Sequence, residues 1–255
     1  MKILLHISFL GTEYCGYQVQ PNGVSVQQKL NEAAKLLFGY DCDIVGCSRT
    51  DSGVHANEFC AAVSKKGEGY LDTTIPTEKI PRAFSYYLPE DIVVFAAEEV
   101  SDDFHPRYDV VSKEYVYKIL NREARDPFCE GRVWHIPRRI DDAALENMNV
   151  AATKLLGTHD FASYMASDSK IKDTVRTIFD IGVSRNGDII EFHVSADGFL
   201  YNMVRIIMGT LVDVAFGKFT PDDIEKITEA KDRKMAGTTA PAQGLYLNKV
   251  VYKKQ

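Results

Sequence analysis

The residues of this chain best suited to chemistry lie in one polar turn, Arg49-Thr50-Asp51-Ser52-Gly53-Val54-His55-Ala56. It stands between two apolar runs that read as strands, Cys42-Asp43-Ile44-Val45-Gly46-Cys47 and Phe59-Cys60-Ala61-Ala62-Val63. Asp, Ser and Gly in succession are turn formers. A carboxylate that attacks carbon or removes a proton must be ionised and held in place. Arg49, two residues before Asp51, would favour the ionised form, although from a turn its side chain equally serves the backbone. Such a turn also does no more, in many proteins, than connect two strands, and the residues alone leave both readings open. Arg205 is the only charged residue between Phe199 and Val212. On so apolar a helix its guanidinium needs a partner, because an uncompensated buried charge costs several kcal/mol. The alternative is an arginine that snorkels to the surface along its own stem. Tyr115 and Tyr117, two apart on a strand, share one face and read as packing residues or as an aromatic platform.

The order of motifs adds a resemblance. Arg49 to Ala56 is similar to the signature G-R-T-D-[AS]-G-V-H-A of the tRNA pseudouridine synthase A family, departing only at Ser48. Gly11-Thr12-Glu13-Tyr14-Cys15-Gly16-Tyr17-Gln18-Val19-Gln20 resembles the family's G-x-x-Y-x-G-W-Q-x-Q, with Tyr17 where tryptophan is usual. Asp103-Phe104-His105-Pro106-Arg107, Lys113-Glu114-Tyr115-Val116-Tyr117 and Gly157-Thr158-His159-Asp160-Phe161 follow in family order. So do the run from Phe199 to Leu211 and the closing Thr239-Ala240-Pro241-Ala242-Gln243-Gly244-Leu245-Tyr246-Leu247.

The resemblance implies an isomerase that needs no cofactor and no metal. Its substrate would be the anticodon arm of tRNA, at uridines 38–40 in standard tRNA numbering. Asp51 would be the nucleophile, Arg205 its carboxylate partner with Arg49 in support, and Tyr115 the residue stacking on the target base. Stacking offsets part of the cost of removing a base from its neighbours. His55, Arg107, Lys170 and Lys172 are candidate RNA contacts, although His55 reads better as a structural residue. A homodimer binding one tRNA across both subunits is a further implication.

The elements that must position these residues follow from periodicity. Residues 1–10 read as a buried strand, and Ser25 with Gln28 forms a capping-box pattern before an apolar stripe from Val26 to Phe38. Strands near 42–48 and 57–64, a helix at 77–87 and a strand at 92–97 complete a β-α-β-β-α-β order, which is ferredoxin-like. The second half repeats the theme, with strands at 109–120 and 132–137 and a helix after Asp141. A hairpin is centred on Asn186-Gly187, and a helix runs from about 199 to Gly217. Thr220-Pro221 opens another helix, and a strand runs from Gly244 to Tyr252. The expected fold is α+β, with two ferredoxin-like halves; the resemblance to the pseudouridine synthases implies that they are joined through a largely antiparallel sheet, with helices on one face and a central cleft. The halves are expected at 1–104, carrying the Asp51 turn, and 105–255, carrying Tyr115 and Arg205.

Composition sets the limits. A chain of 255 residues, 45% hydrophobic and 26% charged, can bury one large core or two medium ones. The longest apolar run, near 199–216, contains Asn202, Arg205 and Asp213 and makes a poor membrane span. His6, Ser8 and Gly11 interrupt the N-terminal run, unlike a signal peptide. Five cysteines are odd in number and too sparse for a disulfide scaffold, and Cys42 with Cys47 lacks the paired spacing of a zinc site. Reduced thiols and a cytoplasmic location are expected. The net charge of −6 argues mildly against a nucleic-acid partner, but phosphate binding depends on local charge. Between 105 and 139, eight Lys/Arg face five Asp/Glu among aromatic residues, which suits a basic cleft or a solvated face. Three other readings stand beside the synthase: the same chemistry on another RNA position, a non-catalytic RNA-binding or folding factor, and a carboxylate hydrolase. The hydrolase needs a second carboxylate, for which Asp41, Asp43 and Glu58 are the nearby choices.

Overall fold

The computed structural model describes residues 1–169 and 171–253. The chain divides into two compact units, Met1–Val111 with Tyr246–Gln255, and Ser112–Leu245. In chain order the first unit contains β1 (Lys2–Phe9), α1 (Val26–Phe38), β2 (Cys42–Gly46), β3 (His55–Lys65), α2 (Ile80–Phe84) and β4 (Ile92–Val100). The second carries nearly all of β5 (Val110–Leu120), then β6 (Trp134–His135), α3 (Asp142–Thr153), β7 (Gly157–Asp160), β8 (Val175–Asn186), β9 (Ile189–Ala196), α4 (Met203–Ala215) and α5 (Asp223–Ala230). The last strand, β10 (Leu245–Tyr252), returns to the first unit. The sequence pattern alone puts that segment with the C-terminal half. It folds with the other one because Tyr246 and Leu247 pair in parallel with His55 and Ala56.

The fold is α+β and mostly antiparallel. In the first unit β1 lies between β4 and β3, antiparallel to both, and β2 pairs with the far half of β3. The strand order β4-β1-β3 with β2 beyond, together with α1 and α2, is the ferredoxin-like arrangement. Along β1, Ile3, Leu5, Ile7 and Phe9 are buried on one face, while Lys2, His6 and Ser8 on the other are only half-buried. That alternation is the period of two that marks a strand with one fully covered side. α1 starts where Ser25 accepts a hydrogen bond from the Gln28 amide at 3.2 Å. The expected capping box is half made, because the Gln28 side chain donates to Glu32 instead of returning to Ser25.

In the second unit β9 pairs antiparallel with β5 on one side and β8 on the other, and β7 continues beyond β8. The hairpin between β8 and β9 turns on Gly187-Asp188, one residue later than expected, with Asn186 paired to Ile189. Gly187 takes φ 60°, the positive value that a two-residue turn requires at its first position. Two helix starts also differ from expectation. α4 begins at Met203, after Asn202 in the left-handed region (φ 61°). α5 begins at Asp223, three residues after Thr220, whose amide and hydroxyl both donate to the Asp223 carboxylate. The helix expected at 77–87 is a short 3-10 turn followed by α2, with Pro81 near the start of the helix.

Candidate active site

In the first unit the Asp51 turn is built from backbone. The Val54 amide donates to the Asp51 carbonyl at 3.2 Å, closing a four-residue turn. Gly53 holds φ 79°, the value demanded of the third residue in a type II turn. A second loop grips this turn from outside. The Tyr14 carbonyl accepts from the Gly53 amide at 3.3 Å and from the Ser52 hydroxyl at 3.2 Å. The Tyr17 amide donates to the Thr50 carbonyl at 3.4 Å. Glycine is required at two places in the gripping loop. A Cβ on Gly11 would lie 2.0 Å from the Val54 carbonyl oxygen, and one on Gly16 (φ 103°) would lie 2.4 Å from that of Thr50.

The loop is in turn fastened at both ends. The amides of Val26 and Gln27, which have no partner within α1, donate to the carbonyls of Gly16 and Tyr17 at 3.2 and 2.8 Å. The Tyr14 hydroxyl donates to Asp91 at 2.7 Å, and burial followed by that bond raises the phenol well above its ordinary pKa, so it stays a donor. Tyr17 is buried and stacks on Phe59 with ring centroids 4.2 Å apart. A side chain at Gly46 would strike that tyrosine ring.

His55 completes the clamp. It is fully buried, its Nδ1 accepts from the Gly11 amide at 2.9 Å, and its ring lies 4.6 Å from that of Tyr246. Nδ1 is therefore unprotonated. Asp51 itself is half-buried. Arg49 is exposed and, among the described residues, makes no ion pair.

In the second unit Tyr115 is buried and meets Phe199 edge to face at 5.0 Å. Tyr117 is fully buried, donates to the Pro241 carbonyl at 2.7 Å, and leaves no room for a side chain at Gly244. Burial raises its phenol far above the ordinary value. Arg205 is half-buried on α4. Its Nε donates to the Ala240 carbonyl and its Nη1 to Asn202 Oδ1, both at 2.8 Å. The left-handed Asn202 thus aims its carboxamide at the arginine three residues later. The Ala240 amide returns a bond to the Arg205 carbonyl at 3.1 Å. The same stretch packs hard on α4. A Cβ on Gly209 would meet the Thr238 carbonyl oxygen at 1.8 Å, and the Gly237 amide donates to Thr210 Oγ1 at 2.9 Å. The motifs around Arg205 and Thr239–Leu247, separate in sequence, therefore meet along one helix face.

The other candidates are dispersed. Arg107 is half-buried in a tight turn, its amide donating to His105 Nδ1 at 3.2 Å. Lys172 is exposed, and Lys170 lies outside the described residues. Part of the basic stretch is neutralised locally: Arg122 pairs with Asp126 at 3.2 Å and with Asp188 at 3.4 Å. Arg138 lies over the Phe216 ring at 4.5 Å. A cavity of about 320 Å³ beside β6 is lined by residues that include Leu120, Trp134, His135 and Pro241, but by neither Tyr115 nor Arg205. Sequence reasoning missed the roles of Gly11, Gly16 and Asn202. The i to i+3 spacing of Asn202 and Arg205 was a readable signal; the contact of Gly11 with Val54 was not.

Residues 151–253 match the model of a family described as tRNA pseudouridine synthase. The chain is 43% identical over 251 residues to the tRNA pseudouridine synthase A of Thermoanaerobacter sp. (strain X514), covering 98% of this chain and 99% of that one. It is 42% identical over 253 residues to tRNA pseudouridine synthase A 2 of Clostridium tetani (strain Massachusetts / E88), covering 98% of each. With the tRNA pseudouridine synthase A of Bacillus pumilus (strain SAFR-032) it shares 43% identity over 257 residues, 99% of each chain. Among solved structures, a Cbf5-Nop10-Gar1 complex is similar at a TM-score of 0.36 and 13% identity, over 96% of this chain and 49% of that one. The relatives place the protein among the isomerases that make pseudouridine. The chain belongs to the tRNA pseudouridine synthase A family.

Proposed function

We propose that the protein converts uridine to pseudouridine at positions 38–40 of the tRNA anticodon arm, with Asp51 as nucleophile. The observation that carries the reading is the Asp51 turn itself. Backbone hydrogen bonds and two glycine contacts hold it from outside, as a positioned carboxylate requires. The isomerisation breaks the N1–C1′ bond of the nucleotide, turns the base and joins C5 to C1′. The C5 hydrogen leaves as a proton and N1 gains one, so no redox partner or phosphate donor enters the balance. Arg205, oriented by Ala240 and Asn202, is assigned as the carboxylate's partner, a role that a charged guanidinium suits. Arg49 is assigned a supporting role at most. Tyr115 is assigned to stack on the displaced base. We place the enzyme in the cytoplasm as a homodimer, with Arg107, Lys172 and Lys170 as RNA contacts of lesser weight; His55, fully buried against Tyr246, holds the turn and is not available to RNA.

The site of modification is tested by mapping pseudouridine, by carbodiimide adduct and primer extension, in transcribed tRNA that carries uridine at 38, 39 and 40. The reading expects stops at these uridines only. Stops elsewhere, with none in the anticodon arm, would replace it with the reading of the same chemistry on another RNA position.

A further inference from the structure

We propose that His6, Glu58 and Cys60 form a binding site for a divalent transition-metal ion of the zinc type on the sheet of the first unit. The register of β1 and β3 sets His6 directly opposite Cys60, and Glu58 lies two residues earlier on the same face of β3. His6 Nδ1 stands 2.9 Å from Glu58 Oε1 and 3.8 Å from Cys60 Sγ. All three donor atoms lie within 4.8 Å of one another. Zinc bonds of about 2.0–2.1 Å to nitrogen and oxygen and about 2.3 Å to sulfur put tetrahedral donors roughly 3.3–3.6 Å apart. The two distances from His6 bracket that range.

A second observation concerns the other ring nitrogen. His6 Nε2 faces Glu98 Oε1 at 3.2 Å. With an ion bound, that carboxylate would hold the Nε2–H and leave the Nδ1 lone pair to the ion, as metal-ligating histidines are held. Thiol, imidazole and carboxylate together suit zinc or cobalt rather than magnesium or calcium. Cys60 is fully buried, and burial holds its thiol protonated. Binding would break the S–H bond, release that proton to solvent and form the sulfur–metal bond, with no change of oxidation state. Water would fill the fourth position. Without a metal, His6 bridges the two carboxylates and the Cys60 thiol is hydrogen-bonded to Tyr252, so an ion is what would bring the sulfur in as a ligand.

That difference supplies the experiment. The full chain, reduced and stripped of metal, is titrated with cobalt(II) and followed by absorbance. The proposal expects one equivalent to bind with a thiolate-to-cobalt band in the near ultraviolet and tetrahedral bands in the visible, all displaced by zinc. Cys60→Ala should abolish the near-ultraviolet band while keeping the circular dichroism of the native fold, and Cys129→Ser should leave it unchanged. Glu98→Gln should weaken binding about 10- to 100-fold. No thiolate band in the wild type, or a band that survives Cys60→Ala, would overturn the proposal. So would a His6 ring protonated at both nitrogens by NMR in the presence of one equivalent of zinc.

Discussion

The clamp on the Asp51 turn depends on single atoms, and its predictions are correspondingly sharp. His55 contributes an acceptor at Nδ1 to the Gly11 amide. Asparagine can place its Oδ1 near that position, whereas glutamine and phenylalanine cannot. His55→Asn is therefore expected to keep most of kcat, while His55→Gln and His55→Phe lose about a hundredfold, the scale of a 1 Å misplacement of a reacting group. KM for tRNA should change little. Equal losses in all three variants would show that the acceptor is not what matters. Gly11→Ala drives a methyl into the Val54 carbonyl, and overpacking of this kind costs about 1–3 kcal/mol, readable as a lower urea midpoint. At this scale the sequence was legible in part. Asp51, Arg205 and Tyr115 stand out by charge, by isolation on an apolar helix and by alternation on a strand. Gly11 was visible only as a member of a motif, because its reason lies 43 residues away in Val54. The His6, Glu58 and Cys60 group was invisible for the same cause, since strand register and not sequence spacing gathers its donors.

Secondary-structure elements were read well where periodicity or capping carried them and poorly where a side chain redirected them. α1 and the β8–β9 hairpin follow their patterns to within a residue or two. The Thr220-Pro221 signal marks a helix that begins two residues later, at Asp223, whose carboxylate accepts from the Thr220 amide and hydroxyl. β7 is four residues long and carries two glycine-or-threonine positions, too short to show a period. Its last residue nevertheless offers a test. The Asp160 carboxylate accepts from Thr174 Oγ1 at 2.6 Å and the Ala162 amide at 3.1 Å, and Lys231 Nζ lies 3.0 Å away. The Thr174 bond foremost, then the lysine and the amide, lowers its pKa against the opposing effect of burial. The folded protein thus binds fewer protons here than the unfolded chain, whose aspartates titrate at about 3.9. The stabilisation is present above that value and is lost as pH falls through the lower, folded one. Asp160→Asn should be less stable than wild type at pH 7, and the gap should close below about pH 4. A gap independent of pH would contradict this reading.

At the scale of the whole molecule, composition was the least informative guide. A net charge of −6 points away from RNA, while the 43% identity over nearly the full chain places the protein in a tRNA-modifying family. Phosphate binding depends on local rather than net charge, so tRNA binding should weaken at least about tenfold between 50 and 200 mM salt, as counterion release dictates. Insensitivity to salt would deny a phosphate-led interface. The return of β10 to the first unit was not legible, because its parallel pairing with β3 leaves no local signal. Asp51 is proposed to perform the isomerisation. The most direct test is tritium release from tRNA labelled at uridine C5, under single-turnover conditions, for wild type and Asp51→Asn at matched tRNA occupancy. The account predicts release by the wild type and none above background by the variant. Release by both at similar rates would contradict it.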